Sequence, residues 1–209
     1  MSQRKELPDY FVCPDGLRRC WWCADDDQYI QYHDAEWGKP IADDQQLYEK
    51  MCLEGFQAGL SWITILRKRS AFRSAFFDFD IERVAKFSSV RVEKLMLDAQ
   101  LVRHRGKIES TINNAKRAID LMDEFGSLAS FFWRFEPAKP IVLDRRIEMV
   151  PYRPESTALS KELKKRGWSF VGPTTCYSLM QAMGMVNDHL RGCHRWKVIE
   201  QQRSGFARP

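Results

Sequence analysis

Apolar residues along this chain recur every three to four positions, and no stretch alternates as a half-buried strand would. That period predicts a mainly α fold. Asp43 or Asp44 can cap a helix running toward Leu60, within which Leu47, Met51, Glu54 and Ala58 share one face. A second helix is expected over residues 89–99. A third carries Ile108, Ile112, Ala115, Ile119 and Met122, with Gly126 where a C-terminal glycine belongs. A fourth runs from Thr157 to Arg166 and stops at Gly167. A fifth opens on Pro173, a favoured first-turn residue, and ends near Gly184. Residues 1–19 lack periodicity and read as an N-terminal extension. Residues 137–154 hold four prolines among mixed charges and read as a long connection. From about Arg195 the chain turns polar, so a domain over 20–193 and a loose tail over 194–209 are expected.

Composition narrows the class. At 209 residues with 44% hydrophobic and 12% aromatic side chains, the chain can bury a sizeable core and is not disordered. No apolar run approaches the roughly 18–20 residues of a membrane span, and the N-terminus lacks the apolar stretch of a secretory signal. Thirty-three Lys and Arg against 28 Asp and Glu give +5, which favours a polyanionic partner. Six cysteines, at 13, 20, 23, 52, 176 and 193, do not suggest a disulfide scaffold in a core-rich chain of this length. An intracellular protein with free, metal-bound or reactive thiols fits better.

Four groups of residues carry chemistry. Glu54 places a carboxylate on an apolar stripe, where it must find a partner, take up a proton or serve a function; the bland alternative is a rim carboxylate paired with an Arg. Around it, Trp21, Trp22, Tyr29, Tyr32, Trp37 and Trp62 are dense enough to form a slot for a flat or cationic ring, or simply to be core. Cys20 and His33 near the start, with His189 and Cys193 near the end, make a two-plus-two set suited to tetrahedral zinc. Such a site would clip the chain ends together, with Cys13, Cys23 and His194 as rival ligands. Finally, residues 161–182 read as helix, Gly167, a short link, Gly172, Pro173 and helix. Two glycines there allow close backbone approach, and free N–H groups at Thr174 and Thr175 suit a phosphate. Lys161, Lys164, Lys165 and Arg166 lie just before, and a second basic knot spans Arg103 to Lys107. The plain alternative is an αα-hairpin with a solvated basic face.

With these residues in view, the sequence resembles the bacterial 3-methyladenine DNA glycosylase I family. The matching stretches are CWWCADDDQYIQYHDAEWG (20–38), MCLEGFQAGLSWITIL (51–66), RHRGKI (103–108), LSKELKKRGWSFVG (159–172) and CYSLMQAMGMVNDHLRGC (176–193). The connection around 137–154 matches poorly, and Trp21 stands where the family usually has glycine. The resemblance implies a helix–hairpin–helix DNA glycosylase fold with one structural zinc ion on Cys20, His33, His189 and Cys193. Carried over, Glu54 is the base-recognition and main catalytic carboxylate, with Asp188 a second candidate that could instead orient a zinc ligand. Trp22, Tyr29, Tyr32 and Trp62 line the base pocket. Leu60 presses into the DNA, and Lys165, Gly167, Gly172 and Thr174 hold its backbone.

The implied activity is base-excision repair: flipping out N3-methylated adenine from duplex DNA and hydrolysing its N-glycosidic bond. The products are free 3-methyladenine and an abasic site. No lysine is placed for a lyase step, so a monofunctional enzyme is expected. A cytoplasmic monomer that meets the nucleoid through DNA, with no membrane partner, completes the expectation. Two other classes stand beside it. A non-catalytic, zinc-clipped DNA-binding protein would need neither Glu54 nor an aromatic slot. A zinc deaminase would show H-x-E with P-C-x-x-C, which is absent here.

Overall fold

The computed structural model describes residues 8–209. Ten α-helices follow one another among these residues: α1 (Asp27–Ala35), α2 (Asp44–Gln57), α3 (Trp62–Ala75), α4 (Ile81–Ala85), α5 (Ser89–Leu97), α6 (Arg105–Phe125), α7 (Leu128–Trp133), α8 (Pro154–Lys165), α9 (Pro173–Ala182) and α10 (Trp196–Gly205). Local chemistry sets many of their ends. The Asp43 carboxylate accepts from the Gln46 N–H and caps α2. Gly126 closes α6 at φ 83°, in the left-handed region. Pro173 stands in the first turn of α9.

Helix α2 is the axis of the molecule. Every residue from Leu47 to Phe56 is buried, and the helix packs against α3, α6, α7 and α9. A helix buried on all sides cannot leave a charge alone, and its charges are paired. Glu49 accepts from Arg73 at 2.8 Å, and Lys50 meets Glu54 at 3.1 Å one turn on. Phe56, Phe72, Phe76 and Phe79 stack around its C-terminal half. Ala58, expected on the same helical face, instead ends the helix. The reason lies in the next residues, where Gly59 at φ +81° turns the chain and presents Leu60 to solvent.

Three expectations need correction. Two three-residue strands, β1 (Tyr10–Val12) and β2 (Arg18–Cys20), pair antiparallel where no strand is legible. They bring most of the described part of the expected extension onto the domain; residues 1–7 lie outside the described residues. The expected loose tail is largely α10, whose polar sequence hides its docking. Ile199 is fully buried, and Arg203 donates to the Gly184 and Met185 carbonyls and pairs with Glu136. Lys107, from the second basic knot, is also buried. Its ammonium donates to the Phe56 and Ala58 carbonyls at 2.9 and 2.6 Å, capping the end of α2.

Gly184 sits at φ +72° where the chain leaves α9, and an added Cβ would lie 2.6 Å from the Gly38 carbonyl oxygen. Gly184→Ala therefore combines left-handed strain, about 1–2 kcal/mol, with overpacking against backbone, about 1–3 kcal/mol. A urea midpoint lowered to match is the expected result; an unchanged midpoint would show that the chain there relaxes freely.

Candidate active site

The carboxylate and the aromatic residues converge on one cavity of about 200 Å³. Helix α1 contributes Tyr29 and Tyr32, α2 contributes Glu54, and α3 opens on Trp62. Trp22 stands edge-on to Tyr29 with ring centroids 5.5 Å apart, and Tyr32 lies 5.4 Å from Trp62. All five lining residues carried over from the resemblance are therefore together. Tyr29 also accepts a hydrogen bond from the Ile63 N–H at 3.0 Å. That satisfies a free donor in the first turn of α3 and fixes Trp62 relative to α1.

The sequence already placed Trp37 in the aromatic cluster, but it did not reveal the rest of the wall: Gln57, Met149, Ser178 and Gln181. No local pattern marks them, because three distant segments supply them. Met149 comes from the proline-rich connection. That connection is anchored by the Arg146 guanidinium over the Trp21 ring, 5.0 Å from its centroid, and by the Arg146 N–H donating to Asp9. Trp21, the departure from the family pattern, thus holds the poorly matching segment against the site.

Glu54 is 6% exposed, and its partner is Lys50, not an arginine. The Lys50 ammonium also donates to the Tyr32 hydroxyl at 2.5 Å and lies 3.5 Å from the Trp62 ring centroid. Burial pushes the Glu54 carboxyl up from its usual value, and the adjacent Lys50 charge opposes the rise. Burial likewise lowers Lys50, and Glu54 opposes that. The i,i+4 spacing of the pair was a legible signal.

Asp188 does not line the cavity. Its Oδ2 accepts from the Tyr177 hydroxyl and the Gln181 amide, both at 2.7 Å, while Oδ1 is buried without a partner. Burial raises its pKa against those hydrogen bonds. Asp188 therefore reaches the site only through Gln181, and it orients no zinc-type ligand.

Cys20, His33, His189 and Cys193 are all buried, with their ligand atoms within 4.8 Å of one another. Cys23 and Cys13 stand outside this group. His33 donates through Nδ1 to Asp34 at 2.7 Å, and His189 through Nε2 to the Trp37 carbonyl at 3.1 Å. In the neutral tautomers those bonds select, the other two ring nitrogens are both acceptors, yet they face each other at 3.2 Å, and the Cys20 N–H reaches His33 Nε2 only at 3.5 Å. Each also lies 3.4–3.8 Å from a cysteine sulfur. A tetrahedral ion with N and S ligands needs edges of about 3.3 Å between nitrogens and about 3.5 Å between nitrogen and sulfur. The four side chains could hold a metal ion. Asp34 fixes the second layer, accepting from His33, His194 and Arg19. Its own burial favours the neutral acid, but those bonds hold the carboxyl far below its usual range.

The link between α8 and α9 spans residues 166–172. Its backbone is held from α6: Asn113 donates to the Gly167 carbonyl, Ser110 and Asn114 to that of Ser169. Gly167 takes φ +82°, and a Cβ on Gly172 would meet nothing within 4 Å. Lys165, Gly167 and Thr174 are exposed and Gly172 is half-buried, whereas Arg166 is engaged with Glu124 and Glu162. Leu60, 42% exposed, projects from the turn after α2.

A cavity of this size has room for a single flat ring system, and a buried carboxylate stands in its wall. The fold and site together define a helical protein with an aromatic, carboxylate-bearing cavity of a size for one flat ring. A family model described as methyladenine glycosylase matches residues 22–196. The chain is 49% identical over 177 residues to the DNA-3-methyladenine glycosylase of Haemophilus influenzae, covering 84% of this chain and 96% of that protein. It is 47% identical over 179 residues to DNA-3-methyladenine glycosylase 1 of Escherichia coli, covering 85% and 96%. A solved structure of a tyrosine-to-phenylalanine form of 3-methyladenine DNA glycosylase I in complex with 3-methyladenine superposes with a TM-score of 0.81 at 34% identity, covering 84% of this chain and 95% of that one. The chain belongs to the methyladenine glycosylase family.

Proposed function

We propose that this protein is a DNA repair glycosylase that releases 3-methyladenine from alkylated duplex DNA by hydrolysing its N-glycosidic bond. The single observation that carries the reading is the ring-sized aromatic cavity with the buried Glu54 carboxylate in its wall. An N3-methylated adenine pairs and stacks poorly, so flipping it out costs less than flipping a normal base. The flipped base enters between Trp22, Tyr29, Tyr32 and Trp62. Each good aromatic contact with the cationic ring is worth about 0.5–2 kcal/mol. Glu54 accepts hydrogen bonds from the base edge and sets its orientation. When the C1′–N9 bond breaks, its electron pair leaves with the base and neutralises it. The sugar becomes oxocarbenium-like and water completes the abasic site.

Lys50 is close to the cavity, but its ammonium is bound to Glu54 and Tyr32 and does not line that wall. It is not placed to attack C1′, which supports a monofunctional reaction. Asp188 is read as a positioning residue acting through Gln181. Residues 154–182 are read as a helix–hairpin–helix whose link presents backbone N–H groups to phosphates, with Lys165 and Thr174 beside it. Zinc on Cys20, His33, His189 and Cys193 would be structural, because four protein ligands leave no open position. It would tie α1, which carries Tyr29 and Tyr32, to the segment after α9. We read residues 20–193 as the glycosylase domain and the protein as a monomer. No described helix is long and apolar enough to cross a membrane.

Binding of free 3-methyladenine, followed by quenching of the cavity tryptophans, tests the reading. Saturable quenching by 3-methyladenine and none by unmodified adenine at the same concentration is the expected result; no quenching by either base would count against it. Leu60→Ala should lower base release about tenfold, the order of one lost buried apolar side chain, without moving Tm, because the side chain is exposed in the free protein. A Tm that falls with activity would assign Leu60 to the fold instead.

A further inference from the structure

Two cavities, each of about 200 Å³, share Tyr32 and Trp62 as a partition. Glu54 lines the aromatic one. Lys50, one helical turn earlier, lines the other together with Glu36, Glu49, Arg69 and Arg73. The two buried charges therefore meet through the wall: Lys50 Nζ stands 3.1 Å from Glu54 Oε1, on the side away from the entering base. Arg69 is bound to Glu36 and Arg73 to Glu49, so neither is a substitute counter-charge for Glu54. Tyr32, from α1, accepts from the same ammonium. From α9 only the uncharged Ser178 and Gln181 face the aromatic cavity. Lys50 is thus the one cation in direct contact with Glu54 among the described residues.

This has a chemical consequence. An ionised carboxylate only accepts hydrogen bonds, whereas a protonated one also donates. The sole N–H donors of an N3-methylated adenine nucleotide are on its 6-amino group. A guanine in the same seating offers the O6 acceptor at that position. We infer that Lys50 is a specificity-determining residue: by holding Glu54 in its acceptor-only form, it lets the cavity take a 6-amino purine and refuse a 6-oxo purine. The inference rests on the glycosylase reading and deepens it. Burial alone favours the neutral acid at Glu54, and removing Lys50 leaves that tendency unopposed.

The test compares release of 3-methyladenine and 3-methylguanine from duplexes carrying each lesion, by the full-length metal-loaded protein, between pH 6 and 9. Wild type should favour 3-methyladenine with a ratio that is flat across this range. Lys50→Met should lower the ratio at least tenfold near neutral pH, and the ratio should recover as pH rises and Glu54 ionises. Lys50→Arg, which keeps the charge, should restore most of the wild-type ratio. Glu54→Gln, which can donate at every pH, should show a lowered ratio that does not recover. Should Lys50→Met prove unfolded by circular dichroism, Lys50→Gln serves in its place. A folded Lys50 variant that loses rate equally for both lesions, with an unchanged ratio at every pH, overturns the inference and leaves Lys50 a packing residue. Wild type that releases neither base removes the glycosylase reading itself and this inference with it.

Discussion

Glu54→Gln is expected to cut release of 3-methyladenine by about 10- to 100-fold. A hydrogen bond to a charged acceptor contributes about 1.5–3 kcal/mol, and each 1.4 kcal/mol is a factor of ten. Glu54 is buried, so little water can replace the lost interaction. The amide keeps the volume and one acceptor, which limits the loss and isolates the charge. It also leaves the Lys50 ammonium buried without its carboxylate, at a cost in stability. Single-turnover release at saturating enzyme separates the two effects, since a modest loss of stability does not slow a folded enzyme. A full rate in the variant would move base recognition to the aromatic wall.

The second large effect concerns the buried Cys20, His33, His189 and Cys193. Cys193→Ser, or chelation before heating, is expected to lower Tm by about 10–15 °C. Structural zinc contributes about 10–16 kcal/mol in isolated fingers. If about a third of that appears as folding energy here, roughly 4 kcal/mol is lost, and a domain of this size moves about 2–4 °C per kcal/mol. The cost has a local origin in two imidazole acceptor nitrogens held 3.2 Å apart. Base release should fall as well, because His33 shares α1 with Tyr29 and Tyr32. Native mass spectrometry should find one metal ion per chain. An unchanged Tm in the metal-free protein would contradict the account of this cluster.

What the sequence made legible was chemistry that acts within a turn or two. Asp43, Gly126 and Pro173 mark helix ends through their own hydrogen bonds or backbone angles, and the structure places them there. Helix α10 escaped notice because it is held by distant partners. Arg203 reads as a polar tail residue until Gly184, Met185 and Glu136 are beside it. Helix α3 is similar: Arg67, Arg69 and Arg73 blur its apolar face, and their acids come from Asp26, Glu36 and Glu49. At the site, Glu54 stood out as a carboxylate among apolar neighbours. Lys50 could have been read from its i,i+4 spacing. Met149, Gln57 and Gln181 could not, since only the topology brings a proline-rich connection, the end of α2 and the face of α9 to one cavity.

The most direct measurement is the release of free base from methylated duplex DNA by the metal-loaded wild-type protein, with products separated by chromatography. The account predicts that 3-methyladenine is released, that the strand carries an intact abasic site, and that no strand break follows without added alkali. A folded, metal-loaded protein that binds the DNA and releases no base would contradict it and leave a DNA-binding module.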